Sequence, residues 1–172
     1  MSDEANKRED IPQAEINTLI AYFMSKIPVN MRDQLDYSLK SLNVVEGWLC
    51  ERYTKEDSDA FIEEYDGWDD GEAFKPGWIF DSQLIKGSVF YIGEVYRKCL
   101  GGYWRIYNVK PNPTWEYEDY PVIEQANVGY DICPFINVTE ALYQRYPDSV
   151  FLSQPLIQEE LRRIKRQNTE KH

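Results

Sequence analysis

The chain has 172 residues, 42% hydrophobic and 15% aromatic, with a formal charge of −11. That length fits one domain with an ordinary core, and the negative balance disfavours nucleic acid and anionic lipid while favouring a basic protein partner. The polar opening MSDEANKRED lacks an apolar signal core, no run approaches the roughly 18 apolar residues of a membrane span, and Cys50, Cys99 and Cys133 are too scattered for CxxC-type zinc ligation.

Residues 1–10 read as a disordered tail. Asp10 can cap a first helix with Pro12 in its opening turn, and Ile16, Leu19, Ile20, Phe23, Met24 and Ile27 recur at helical spacing until Pro28 stops them. Leu35-Asp36-Tyr37 reads as a short extended entry. Ser38 or Ser41 then starts a second helix that carries Leu42, Val45, Leu49 and Tyr53. Gly47 inside it costs about 1 kcal/mol of helix stability, which implies close packing at that point.

The chain changes character over 54–80, an acidic insertion. From Glu56 to Glu72 there are nine acidic residues and no basic one. Ala60-Phe61-Ile62 can anchor a short helix, the run from Asp66 to Glu72 reads as turns, and Trp78, Ile79 and Phe80 return the chain to the core. A third main helix covers roughly 81–100, with Leu84, Ser88, Tyr91 or Ile92, Val95 and Cys99 on one face and Arg97 and Lys98 in the last turn. Gly101 and Gly102 supply its left-handed stop. Tyr103–Val109 and Pro121–Gln125 are strand-like and predict an antiparallel pair around a Pro-Asn-Pro break. Asn137 or Thr139 can cap a short helix through Tyr146. Pro155 opens a last amphipathic helix carrying Leu156, Ile157, Leu161 and Ile164, with a basic end at 162–166, before a frayed terminus at 167–172. The expected fold is a single α+β domain over 11–166, several helices packed on a small antiparallel β-sheet or hairpin. Cys50 and Cys99 fall on apolar helix faces and are expected in the core.

Catalytic chemistry is constrained by what is missing. The only histidine is His172, so the triads that need a positioned imidazole base have none elsewhere in the chain. Neither GxxxxGK[ST] nor GxGxxG occurs. An EF-hand reading from Asp66 meets Asp70 and Gly71 but puts Trp68 and Gly77 where ligands belong. Neither metal nor cofactor is therefore expected. Carboxylates survive this exclusion: Glu94, inside an apolar run, can act as acid or base or can pair with Arg97, Lys98 or Arg105, and Glu116, Glu118 and Asp119 can pair as in a hydrolase.

Two clusters combine acids with aromatic rings. One holds Glu63, Glu64, Asp66, Trp68, Asp69, Asp70 and Glu72, the other Trp115, Glu116, Tyr117, Glu118 and Asp119. Aromatic residues anchor interfaces and charge selects the partner, so these are the candidate partner-binding residues. Gly93, Glu94, Gly101, Gly102 and Trp104 are candidate structural residues.

The stretch Tyr91-Ile92-Gly93-Glu94-Val95, followed by Gly101-Gly102 and Trp104, then Pro134-Phe135, resembles small bacterial proteins of which some are similar to immunity proteins. The segment from Leu35 to Leu42 carries the same resemblance. It implies a non-enzymatic cytoplasmic protein, a monomer or weak homodimer, that neutralises a toxin, with a basic nuclease as the kind of partner the charge favours. An adaptor with another partner is the alternative.

Overall fold

The computed structural model describes residues 8–53, 82–107, 120–124, 131–144 and 151–169. Helix α1 (Gln13–Lys26) buries Ile16, Ile20 and Phe23 at the expected spacing. Its N-terminus departs from expectation. The carbonyl of Pro12 accepts from the Glu15 and Ile16 N–H groups, and no side chain caps the helix. Asp10 is instead drawn into an ion pair with Arg105. At the other end Pro28, with no N–H to give, ends the helix. A single turn, α2 (Val29–Arg32), follows. It swings Arg32 back so that Nε and Nη2 donate to the carbonyls of Ile27 at 2.8 Å and Ser25 at 3.0 Å, satisfying acceptors the helix end leaves open.

Helix α3 (Leu39–Arg52) starts at Ser38, whose hydroxyl accepts from the Ser41 N–H. It buries Leu42, Val45, Trp48 and Leu49, with Tyr53 just beyond its end. Gly47 is not a packing glycine: it is exposed and nothing lies within 4 Å of where a Cβ would be.

The centre of the molecule is α4 (Ser82–Leu100). Leu84, Ile85, Val89, Phe90, Tyr91, Ile92, Val95 and Tyr96 are all buried. At 3.6 residues per turn all but Phe90 fall within about half of the helix circumference, one broad apolar face, while Phe90 is buried on another side against Trp104. Helices α1 and α3 pack against it, as do α5 (Pro134–Gln144) and α6 (Gln154–Thr169). At Gly87 a side chain would collide with the Leu19 carbonyl and lie 2.7 Å from Phe23 Cβ, so glycine is what lets α1 seat against α4. Cys99 is exposed and Cys50 half-buried, against expectation, while Cys133 is buried. The core face of α4 turns away before Cys99 and is completed by Leu100.

The sheet is antiparallel in the order β1 (Arg8–Glu9), β2 (Tyr103–Tyr107), β3 (Pro121–Glu124). Tyr103 pairs with Glu124 and Trp104 with Ile123, while Arg8 pairs with Tyr107. The stretch read as a tail thus contributes an edge strand at its end. Val122 and Ile123 are both fully buried. Successive strand residues face opposite ways, so β3 is covered on both faces. Ile123 also exchanges two backbone hydrogen bonds with Ile132, at 2.8 and 3.1 Å. Helix α5 begins at Pro134 rather than at the expected Asn137 or Thr139, because Pro is suited to the first helical position. In α6, Leu156 is buried but Leu161, expected on the same apolar line, is 54% exposed.

The α+β arrangement of helices on a small antiparallel sheet is as expected. The acidic insertion 54–80, its short helix and its return at 78–80 lie outside the described residues.

Candidate functional site

The motif that carries the resemblance folds into an interlock between α4 and β2. Gly101 and Gly102 have φ of 79° and 107°, a left-handed region in which residues with a Cβ are strained. This reverses the chain and lays Trp104 back across α4. A Cβ at Gly93 would fall inside the Trp104 ring, against Cη2 and Cζ2, so the indole rests directly on the helix backbone. The ring meets Phe90 edge-on at 4.9 Å between centroids. Its Nε1–H donates to Glu94 Oε1 at 2.6 Å, and the same oxygen accepts from Arg97 Nη1 at 2.7 Å. Glu94 is therefore a half-buried acceptor held by a ring N–H and a guanidinium, which compensates a charge otherwise costly to bury.

The other carboxylates that enter the body are also engaged. Glu46, 3% exposed, accepts from the Leu152 N–H at 3.1 Å. The Leu152 carbonyl in turn accepts from the Tyr96 hydroxyl at 2.6 Å. Burial, then the nearby Glu46 charge, pushes the Tyr96 phenol well above its usual range. Glu159, 2% exposed, faces Arg162 at 3.6 Å and Arg163 at 4.0 Å, one turn along α6.

A second feature adjoins the interlock. Tyr37 has φ of 61°, rare for a residue with a bulky side chain. The expected extended entry at 35–37 is thus a left-handed turn, and its neighbours over-determine it. The Tyr37 N–H donates to the Tyr91 hydroxyl at 3.1 Å, which donates to Ser41 Oγ at 2.9 Å. Ser41 passes the chain to the Ser38 carbonyl at 2.7 Å, and the Ser38 N–H donates to Asp36 at 3.0 Å. The Tyr37 ring stacks on Tyr91 with centroids 4.7 Å apart, and Lys98 Nζ lies 4.4 Å from the Tyr37 centroid. Burial, then the Glu94 charge, raises the Tyr37 phenol above its usual range. The bonds from Ser38 hold the Asp36 carboxyl below the usual carboxylate range.

These two features gather Tyr37, Tyr91, Glu94, Arg97, Lys98 and Trp104 on one side of α4. Such a cluster is suited to positioning and holding, with its carboxylate already occupied. The expected structural residues Gly93, Glu94, Gly101, Gly102 and Trp104 are brought together here. Tyr37 is the member sequence reading missed, since nothing in Leu35-Asp36-Tyr37-Ser38 marks a left-handed residue in the way glycine or asparagine would. The partner-binding candidates Glu63, Glu64, Asp66, Trp68, Asp69, Asp70, Glu72, Trp115, Glu116, Tyr117, Glu118 and Asp119 all lie outside the described residues.

Among the described residues no group of three or more His, Cys, Asp or Glu side chains is placed to hold a metal ion. Among them, too, no helix is long and apolar enough to cross a membrane. Comparison with known proteins finds no matching family model, curated protein or solved structure.

Proposed function

We propose that this chain is a non-enzymatic binding protein of immunity type, which neutralises a toxin by covering a basic surface of it, a nuclease groove being the natural example. The observation that carries the reading is where the charge sits. Residues 56–72 and 115–120 together hold twelve of the thirty acidic residues and none of the nineteen basic ones. The rest of the chain, with eighteen acids against nineteen bases, is close to neutral. The charge of −11 is thus a property of two short stretches rich in Trp and Tyr, not a solubilising coat spread over the protein. Acid beside aromatic is the composition that anchors a basic partner and speeds its capture. The engagement of Glu46 and Glu94 in bonds between elements is consistent with this reading. The reading places the protein in the cytoplasm, where three thiols stay reduced.

The test is protection. The chain is co-expressed with a toxin encoded beside its gene, and the purified pair is titrated at rising salt. Rescue of growth is expected, with a complex weakened at least about tenfold between 0.05 and 0.5 M salt, and loss of rescue on reversing charge at Asp69 and Asp70 to Lys. Failure of the unaltered chain to rescue, or rescue untouched by the double reversal, would overturn the proposal.

A further inference from the structure

Helix α6 carries an apolar line on the side it does not pack on the body. Successive helix residues turn by about 100°, so Ile157 and Leu161 lie roughly opposite Leu156 and Glu159. Leu156 and Glu159 are 7% and 2% exposed and belong to the packed side. Ile157 is half-buried and Leu161 is 54% exposed. Beyond Glu159 the helix leaves the body, with residues 160–163 and 165–167 all exposed. A helix end without packing is marginal in water, because most helical stability in proteins comes from burying an apolar face.

In sequence the outer line runs Ile157, Leu161, Ile164, Asn168. Steps of four, three and four residues put these at successive d, a, d and a positions of a coiled-coil heptad. Leu156 and Glu159 then take c and f, on the side away from the seam. Arg162, Arg163 and Arg166 take the outer b, c and f positions. Glu160 falls at g and Lys165 at the following e, both exposed, and among the described residues neither is in an ion pair. The g and e positions are where charge chooses partner and orientation.

We infer that α6 pairs in parallel with α6 of a second copy of this chain. The apolar line is the seam. Glu160 of each copy faces Lys165 of the other, giving two symmetric ion pairs. These set the parallel orientation, because an antiparallel pair brings g against g and e against e. Leucine at a with isoleucine at d favours more than two strands on its own, and Asn168 at the next a position selects two, since a polar residue there fixes register and strand number at a cost in stability. The seam spans about two heptads, so the dimer is weak and reversible. Pairing through α6 is independent of the immunity reading.

The test is sedimentation of the full chain from about 2 to about 200 µM, and none of its arms uses a toxin. A monomer is expected at the low end, passing reversibly to a dimer at the high end. Leu161→Asp should weaken the dimer at least about tenfold and leave the melting temperature of the dilute chain unchanged. Glu160→Lys and Lys165→Glu should each weaken it about fivefold by setting like charges face to face. The two changes together should restore it to within about twofold of the unaltered chain. A monomer at every concentration, a trimer or tetramer, a dimer indifferent to Leu161→Asp, or a combined variant no better than the single ones would overturn the inference. A lower melting temperature for dilute Leu161→Asp would show that the face is covered within one chain, with the same consequence. Vesicles of anionic phospholipid form a last arm: binding of the dilute chain that depends on Leu161 would assign the face to a membrane surface and overturn the pairing.

Discussion

At the scale of single residues, the decisive relation is steric, between a glycine and an indole eleven residues further along, brought together by a chain reversal. Gly93 has a use only because Trp104 lies on it. Gly93→Ala is therefore expected to destabilise by about 3 kcal/mol, at the upper end for overpacking. Most of that cost should vanish in a Trp104→Ala background, where the intruding ring is gone. A thermodynamic cycle of denaturant melts measures the coupling, and additive costs would mean the glycine serves some other purpose. A second residue-scale expectation concerns alkali. Cys133 is protonated in the folded state up to about pH 12 because its thiolate cannot be solvated there, and the buried Tyr96 phenol is raised in the same direction. Groups with a folded pKa above the unfolded value contribute stability that is complete below the unfolded pKa. That stability is lost as pH rises from the unfolded thiol's value of about 9 towards 12. Melting temperature should fall across that window, and Cys133→Ala should flatten the fall. In the folded protein at pH 8, alkylation should reach exposed Cys99 well before Cys133.

At the scale of elements, two helical glycines behave oppositely. Gly47 of α3 is exposed with open space around its missing Cβ, and Gly87 of α4 is pressed by the backbone of α1. Gly47→Ala should stabilise by roughly 0.5–1 kcal/mol, since it removes only the entropic penalty of glycine in a helix. Gly87→Ala should destabilise by more than that gain, because backbone cannot move aside as the end of a flexible side chain can. Thermal melts of the two variants should shift in opposite directions. In sequence the two positions look alike, each a glycine inside a helical pattern. Only the approach of α1, which buries Phe23 completely against α4, tells them apart. The capping serine Ser38, by contrast, was legible, because a cap is a local bond between residues three apart. The Asp10 cap failed for a nonlocal reason, the Arg105 guanidinium of a strand far along the chain.

At the scale of the whole molecule, α4 is the shared core, packed by α1, α3, α5 and α6. Its amides should exchange most slowly and report global unfolding, while α6 around the exposed residues Glu160–Arg163 should exchange through local opening. Hydrogen-exchange mass spectrometry would show this as a gradient, and rapid exchange in 88–96 would contradict a core centred there.

The sequence by itself determined the elements and the chemistry available to them. Apolar residues at helical spacing, prolines that cannot continue a helix, and one lone terminal histidine act through neighbours along the chain, so they can be read in order. It also determined the concentration of negative charge in two short stretches. Only the tertiary structure decided that Trp104 rests on Gly93 and binds Glu94, that Tyr37 is held left-handed by Tyr91, and that Cys99 faces outward. Those outcomes come from contacts between residues distant in sequence, whose energies depend on packing and solvation that no local pattern encodes.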